Sequence, residues 1–329
     1  MKKVKTSAPG KLMLFGEHSV VFGHPCIVTA VDRRLSITVE ENGEEVFILD
    51  APDLGLRAYS KRICDLGNKD LPKEVSFIET CYKLFLEKYP QQKTIHVYSK
   101  NEFKSSYGLG SSSASTVAFA KALSEFYEVP MNNDQLFDLA YQTVLEVQGV
   151  ASGFDIAAAI WGGTIYYITP HGKLSKHKTV KPIKIKNLPL LVAYTGIKAD
   201  TATLIRMVQN LHSENKGTVN RIFTDITLLV EQAKKTLQQQ DWPHLGLLMD
   251  ENQALLRKLQ ISSIELENLI AAGKSAGAMG AKLSGAGGGD CMLALVDEAE
   301  RKAVAQKITK AGGKIIEVEM NAEGVRLEN

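Results

Sequence analysis

Four short stretches in this chain combine residue types that could act together on a phosphate. The first, Tyr107-Gly108-Leu109-Gly110-Ser111-Ser112-Ser113-Ala114, follows a strand-like run, Thr94 to Tyr98, and precedes a helix-like run, Ser115 to Phe126. Glycines let a backbone come close to a ligand. A helix start offers unpaired N–H groups and partial positive charge. A glycine and serine loop that enters a helix is therefore a cradle for phosphate. No Gly-Lys-Ser/Thr follows, so this is not the Walker arrangement, and other parts of the chain must position the rest of a nucleotide.

Those parts are at hand. Ser7-Ala8-Pro9-Gly10-Lys11 is followed by Gly16-Glu17-His18. Ser152-Gly153-Phe154-Asp155 supplies a carboxylate. Lys282-Leu283-Ser284-Gly285-Ala286-Gly287-Gly288-Gly289-Asp290 is a second glycine loop. One such loop alone is weak evidence of anything but tight turns; several in order, with an aspartate and a lysine, form a pattern.

That pattern resembles the GHMP kinases, the superfamily of galactokinase, homoserine kinase, mevalonate kinase and phosphomevalonate kinase. The resemblance spans nearly the whole chain. It implies an α+β fold, with an N-terminal ATP-binding domain like ribosomal protein S5 domain 2 over residues 1–186. A ferredoxin-like C-terminal domain would follow over 187–329, with ATP and an alcohol acceptor meeting in the cleft between. Mg²⁺ is the implied cofactor. Phosphoryl transfer is mainly positioning and neutralisation of charge on the moving group. On the matching positions, the resemblance implies ATP binding by Tyr107, Gly108, Leu109, Gly110, Ser111, Ser112 and Ser113, with Gly285 and Gly287 from the last loop. It implies that Ser112 reaches the metal and that Asp155 is the general base facing the acceptor hydroxyl. Lys11 would lie beside Asp155, keeping it ionised and polarising the hydroxyl. Acceptor contacts fall on Glu17, His18, Ala286 and Thr201.

Gly16-Glu17-His18-Ser19-Val20-Val21 and Gly280 to Ser284 are similar to mevalonate kinases, whereas Tyr107 to Ser112, Ser152 to Ala158 and Gly287 to Cys291 are more like phosphomevalonate kinases. The implied acceptor is mevalonate, phosphorylated on its 5-hydroxyl, or phosphomevalonate. A phosphorylated acceptor wants two or more cations at its far end, for which Arg33, Arg34 and Lys104 are candidates. The galactokinase N-terminal signature is absent. Mevalonate kinases usually carry a metal-binding glutamate eleven residues before the catalytic aspartate, where this chain has Val144. Glu146 lies about 200° further round the helix and reads as an exposed charge. Val144 is the one feature favouring a kinase-like binding protein without turnover; retention of Lys11 and Asp155 opposes it.

The elements that must position these residues follow from periodicity. Lys11 to Phe15 reads as a strand running into the Gly16 turn, and Leu35 to Glu40 as a strand with Glu44 to Leu49 as its hairpin partner across Asn42-Gly43. Val75 to Phe85 has helical spacing after Pro72, and Asp134 to Gln148 is a further helix. Gly162-Gly163 opens a strand, Thr164 to Ile168. The lysine-rich segment His171 to Lys186 reads as a polar hairpin or linker, with the domain change near Lys184 to Pro189. Helices are expected over Asp200 to Leu211, Thr218 to Gln240, Gly246 to Leu259, Ser263 to Ala276 and Glu298 to Ala311. Strands are expected over Gly280 to Leu283, Cys291 to Val296 and Lys314 to Glu319. This order gives layered α+β packing.

The 329 residues suit one large domain or two ordinary ones, with 44% apolar and 23% charged residues, as in soluble globular proteins. A net charge of +2 argues against a broad nucleic-acid face but allows a local cationic pocket. Cys26, Cys64, Cys81 and Cys291 are scattered without CxxC spacing, which argues against a zinc site and a disulfide framework. No signal peptide and no run of about 18 apolar residues is found, so a cytoplasmic location without membrane partners is expected. A homodimer is left open.

Overall fold

A computed structural model of the protein describes residues 2–67, 71–91, 93–104, 107–170 and 178–328. β1 (Lys3–Phe15) and β2 (Cys26–Asn42) form a long antiparallel pair, Lys3 opposite Glu40 and Phe15 opposite Ile27. β3 (Val46–Ala51), β4 (Leu56–Arg62), α1 (Lys73–Lys88) and β5 (Thr94–Asn101) come next. Then follow α2 (Ser111–Phe126), α3 (Asn133–Gln148), α4 (Phe154–Trp161), β6 (Thr164–Ile168) and β7 (Thr179–Ile183). The rest of the chain runs β8 (Leu190–Tyr194), α5 (Thr201–Glu214), α6 (Lys216–Gln239), α7 (Trp242–Lys258), α8 (Ile264–Ser275) and β9 (Gly280–Ser284). It ends with β10 (Cys291–Leu295), α9 (Arg301–Lys310), β11 (Lys314–Ile316) and β12 (Arg326–Glu328).

Two sheets result. The larger runs β12-β1-β2-β5-β3-β4, with β6 paired to β2 and β7 to β6; the smaller runs β11-β8-β10-β9 and is antiparallel throughout. The strands of the two sheets separate between Ile183 and Leu190, yet β12 returns to pair with β1.

The expected hairpin of 35–40 with 44–49 does not form. β5 inserts between them, antiparallel to β2 and parallel to β3. The Asn42-Gly43 turn thus leads to a strand one place further out, and Val97, Ile95, Ile37 and Val39 bury together beneath α1 and α2. The helix expected from Ser115 starts at Ser111, and the one expected from Glu298 starts at Arg301. Residues 171–177 of the lysine-rich segment lie outside the described residues, and 179–183 form β7.

β1 joins the two halves. Side chains alternate across a strand, and here both faces are buried. Met13 packs with α2, α3 and α4 in one core, whereas Leu12 and Leu14 pack with the strands and helices of the second half in the other. A strand buried on both faces reads as an unbroken apolar run, which is why Leu12-Met13-Leu14-Phe15 carries no polar residue. The lysine preceding this run is thereby held rigidly where the two cores meet.

Candidate active site

A cavity of about 1120 Å³ opens between the two halves. Single-ligand pockets run to about 1,000 Å³, so two small co-substrates fit. Three helix N-termini line it: Ser111 to Ser113 of α2, Phe154 and Asp155 of α4, and Thr201 of α5. Their capping differs. Asp200 caps α5 by accepting from the Thr203 N–H, and side chains likewise cap α3, α6, α7 and α8. α2 and α4 instead open on Gly110 and Gly153, both left-handed, with no side-chain cap. Their first-turn N–H groups are therefore available to a ligand.

Two glycines are required at the site. Gly108 has φ +71°, and a Cβ there would fall 2.6 Å from Oδ2 of Asp290. Gly153 has φ +80°, and its Cβ would fall 2.6 Å from the Tyr167 hydroxyl. Neither position admits a side chain without displacement.

Lys11 is stitched to the glycine and serine loop twice. Its backbone N–H donates to the Leu109 carbonyl at 2.9 Å, and its Nζ donates to the Gly108 carbonyl at 3.0 Å. The ammonium also stands 5.4 Å from the Phe154 ring centre, next to Asp155. No ion pair joins Lys11 to Asp155 among the described residues; instead both face the same cavity, with Asp155 half-buried.

The predicted residues separate into two groups. Lys11, His18, Gly108, Gly110, Ser111, Ser112, Ser113, Asp155, Thr201, Gly285 and Ala286 all line the cavity. Glu17, Tyr107, Leu109 and Gly287 do not. Leu109 is buried, and Tyr107 packs on Tyr194 with ring centres 5.1 Å apart. Gly287 lies against the Ile261 carbonyl, and no side chain would fit there. Glu17 is wholly buried and ion-paired with Lys282, its other oxygen accepting from Asn252 Nδ2 at 3.1 Å. Burial holds the Lys282 ammonium below its ordinary pKa, with the Glu17 charge opposing the shift.

Of the cations considered for a phosphorylated acceptor, only Lys104 lines the cavity. Arg33 donates to the Glu317 carbonyl at 2.6 Å. Arg34 is buried and donates to Ser7 Oγ (2.6 Å) and to the carbonyls of Glu323 and Gly324 (each 2.8 Å). It anchors the returning C-terminal segment to β1. Val144 is buried and faces the cavity, while Glu146 is exposed, as the helical spacing predicts.

Sequence reasoning left Asp53, Glu102, Lys198, Asp200 and Asp290 out of the site, although all five line the cavity. Lys198 lines the cavity just before α5. Asp290 also lines it; its Oδ1 accepts from the Ala199 N–H at 2.9 Å, and burial raises its carboxyl pKa. Asp290 was visible as the polar residue closing the last glycine loop, but its approach to Gly108 depends on two segments far apart in the chain. His18 carries a left-handed φ of 58°, and its Nε2 lies 2.8 Å from the Ala286 carbonyl. Burial lowers its pKa, so it is held neutral.

The family models for the GHMP kinases N terminal domain and the GHMP kinases C terminal match residues 76–163 and 233–314, together just over half the chain. The chain belongs to the GHMP kinases, and its fold is theirs. Within that family its similarity is to mevalonate kinases. The mevalonate kinase of Thermococcus sibiricus is 32% identical over 99% of this chain and 99% of its own. The Methanococcus jannaschii mevalonate kinase structure superposes with a TM-score of 0.81 at 28% identity, covering 97% of this chain and 98% of that one. The L. major mevalonate kinase in complex with R-mevalonate gives 0.78 at 28% identity, covering 97% and 96%.

Proposed function

We propose that the protein transfers the γ-phosphoryl group of ATP to the 5-hydroxyl of mevalonate, releasing ADP and 5-phosphomevalonate. The observation that carries this reading is the convergence of uncapped α2, uncapped α4, Lys11 and Asp155 on one cavity, in a chain whose full-length relatives are mevalonate kinases.

On this reading the N–H groups of Ser111 to Ser113 and the Gly108 to Gly110 loop hold the β- and γ-phosphates. The apolar arm of the cavity at Leu49, Ala51, Leu54 and Phe77 receives the adenine face. Asp155 takes the proton of the acceptor hydroxyl as its oxygen bonds to the γ-phosphorus. The bond to ADP breaks, and its electron pair stays on the β-phosphate side. Lys11 neutralises charge on the transferring group, and the α2 N-terminus contributes fixed positive potential. His18, Ala286 and Thr201 frame the acceptor end.

No group of three His, Cys, Asp or Glu residues that could hold a metal exists among the described residues. That donor set fits a Mg²⁺ ion carried in by the nucleotide, whose phosphates supply most of its ligands. Ser112 would hold it, and it would supply charge neutralisation across the phosphates.

Residues 1–186 then form the nucleotide-side unit and 187–329 the second unit, with β12 lent back to the first sheet. No helix among the described residues is long and apolar enough to cross a membrane; a cytoplasmic location belongs to this proposal. A phosphorylated acceptor is disfavoured by the full-length mevalonate kinase relatives, although Lys104 and Lys198 line the cavity while Arg33 and Arg34 are engaged away from it. ADP release by the purified protein with Mg-ATP decides the matter. Release with mevalonate supports the reading; release only with phosphomevalonate overturns it, and binding of either without release points to a non-catalytic homologue.

A further inference from the structure

Next to the cavity-lining His18, outside the lining itself, lies a polar cluster that the proposed reaction does not use. Glu17 and Lys282 are both 0% exposed, the only such ion pair among the described residues. Lys282 Nζ also donates to the Leu283 carbonyl at 2.6 Å. Beside them, Asn252 donates to Glu17, while its own Oδ1 is the buried side-chain atom left without a hydrogen-bond partner among the described residues. Desolvating two charges is costly, and well-packed apolar residues often serve stability as well or better. An unsatisfied buried oxygen adds to that cost. Stability alone is a poor reason for this cluster.

Its location supplies another. Glu17 follows Gly16 at the end of β1 and immediately precedes His18, whose strained backbone turns the imidazole into the cavity. Lys282 lies on β9, just ahead of Ser284, Gly285 and Ala286. Ser284 Oγ donates to the Met13 carbonyl at 2.9 Å and accepts the Met13 N–H at 3.1 Å, tying β9 to β1. His18 closes the circuit on the Ala286 carbonyl. Asn252 brings in α7, which packs against β9. The pair therefore joins two cavity-lining turns that come from opposite ends of the chain.

We infer that Glu17, Lys282 and Asn252 are positioning residues that set the distance between the His18 turn and the Gly285–Ala286 turn, and so the shape of the acceptor end of the cleft. The inference rests on the proposed function for which end holds the acceptor. A non-directional apolar filling would hold the halves together but let these turns slide. A hydrogen-bonded charge pair fixes both the spacing and the direction of approach.

The test compares Lys282→Met, the double variant Glu17→Gln/Lys282→Met, and Ser284→Ala. Lys282→Met leaves a buried carboxylate unpaired and should lower Tm sharply. The double variant removes both charges and should regain Tm, yet its acceptor KM should stay about tenfold raised, a factor worth about 1.4 kcal/mol, with nucleotide KM within about twofold of wild type. Amide exchange over residues 284–287 should speed up in the same variant whatever the acceptor, so this readout survives a wrong acceptor assignment, which the wild-type control exposes separately. Ser284→Ala, which loses the β9–β1 tie without any buried charge, should raise acceptor KM about threefold and covers the case in which the double variant does not fold. Recovery of acceptor KM and of exchange protection together with Tm, an equal rise in nucleotide KM, or an unchanged KM in Ser284→Ala would each overturn the inference.

Discussion

Asp155→Asn isolates the proton-transfer step. The side chain sits in the first turn of α4, half-buried, and makes no hydrogen bond or ion pair of its own among the described residues. Its contribution to folding is therefore confined mainly to the helix dipole, about 0.3–1 kcal/mol. Asparagine retains the shape and the local dipole preference, so the loss should be under about 1 kcal/mol. In a chain of this size that is a Tm change of no more than about 2–4 °C. Catalysis should respond on a different scale. A positioned general base is worth about 10²–10⁴ in rate, equivalent to about 2.7–5.4 kcal/mol of barrier. The assay is kcat for ADP release at saturating Mg-ATP and mevalonate, alongside Tm and nucleotide affinity. Turnover should fall at least about a hundredfold with folding and nucleotide affinity intact. Turnover within about tenfold of wild type would refute the role. A drop in turnover matched by loss of fold would refute the argument that Asp155 carries little structural load.

Ser112→Ala should weaken use of Mg-ATP by about 1.5–3 kcal/mol, the scale of a hydrogen bond to a charged group, while leaving the acceptor KM nearly unchanged; equal effects on both substrates count against its metal role. Arg34→Met removes the guanidinium that holds Ser7 and the carbonyls of Glu323 and Gly324. It should cost about 2–4 kcal/mol from unsatisfied buried acceptors, read by chemical denaturation, with no change in the ratio of activity on mevalonate to that on phosphomevalonate. His18 is pushed by burial below its ordinary pKa of 6.5, so the unfolded chain takes up its proton first as pH falls. Its contribution to stability is complete above about pH 6.5 and declines below that, by at most about 1.4 kcal/mol per pH unit. His18→Gln should flatten that slope in acid denaturation, and an identical slope in both proteins would contradict a buried neutral imidazole.

Much of this protein is legible without coordinates because its motifs are local in the chain. A glycine and serine loop opening a helix has the same free N–H groups wherever it is found, so Gly108 to Ser113 could be read directly, whereas Asp155 was marked only by its match to a family motif and its place on α4 came from the structure. The helices from Thr201 to Lys310 show in their 3.6-residue periodicity, which comes from one buried face per helix. Where the reading failed, the deciding contact joined distant segments. Nothing near Asn42-Gly43 reveals that β5, fifty residues on, takes the hairpin's place beside β2. Arg34 looks like a free cation until the C-terminal carbonyls of residues 323 and 324 reach it. Glu17 looks like a substrate contact until Lys282, 265 residues away, claims it. Sequence alone determined that the Gly108 to Ser113 loop enters a helix and that a family motif falls on Asp155, since a motif belongs to a few neighbouring residues. Only the tertiary structure decided which charged side chains face the cavity and which are consumed holding the two halves together, because burial and pairing depend on partners that the chain brings together only when it folds.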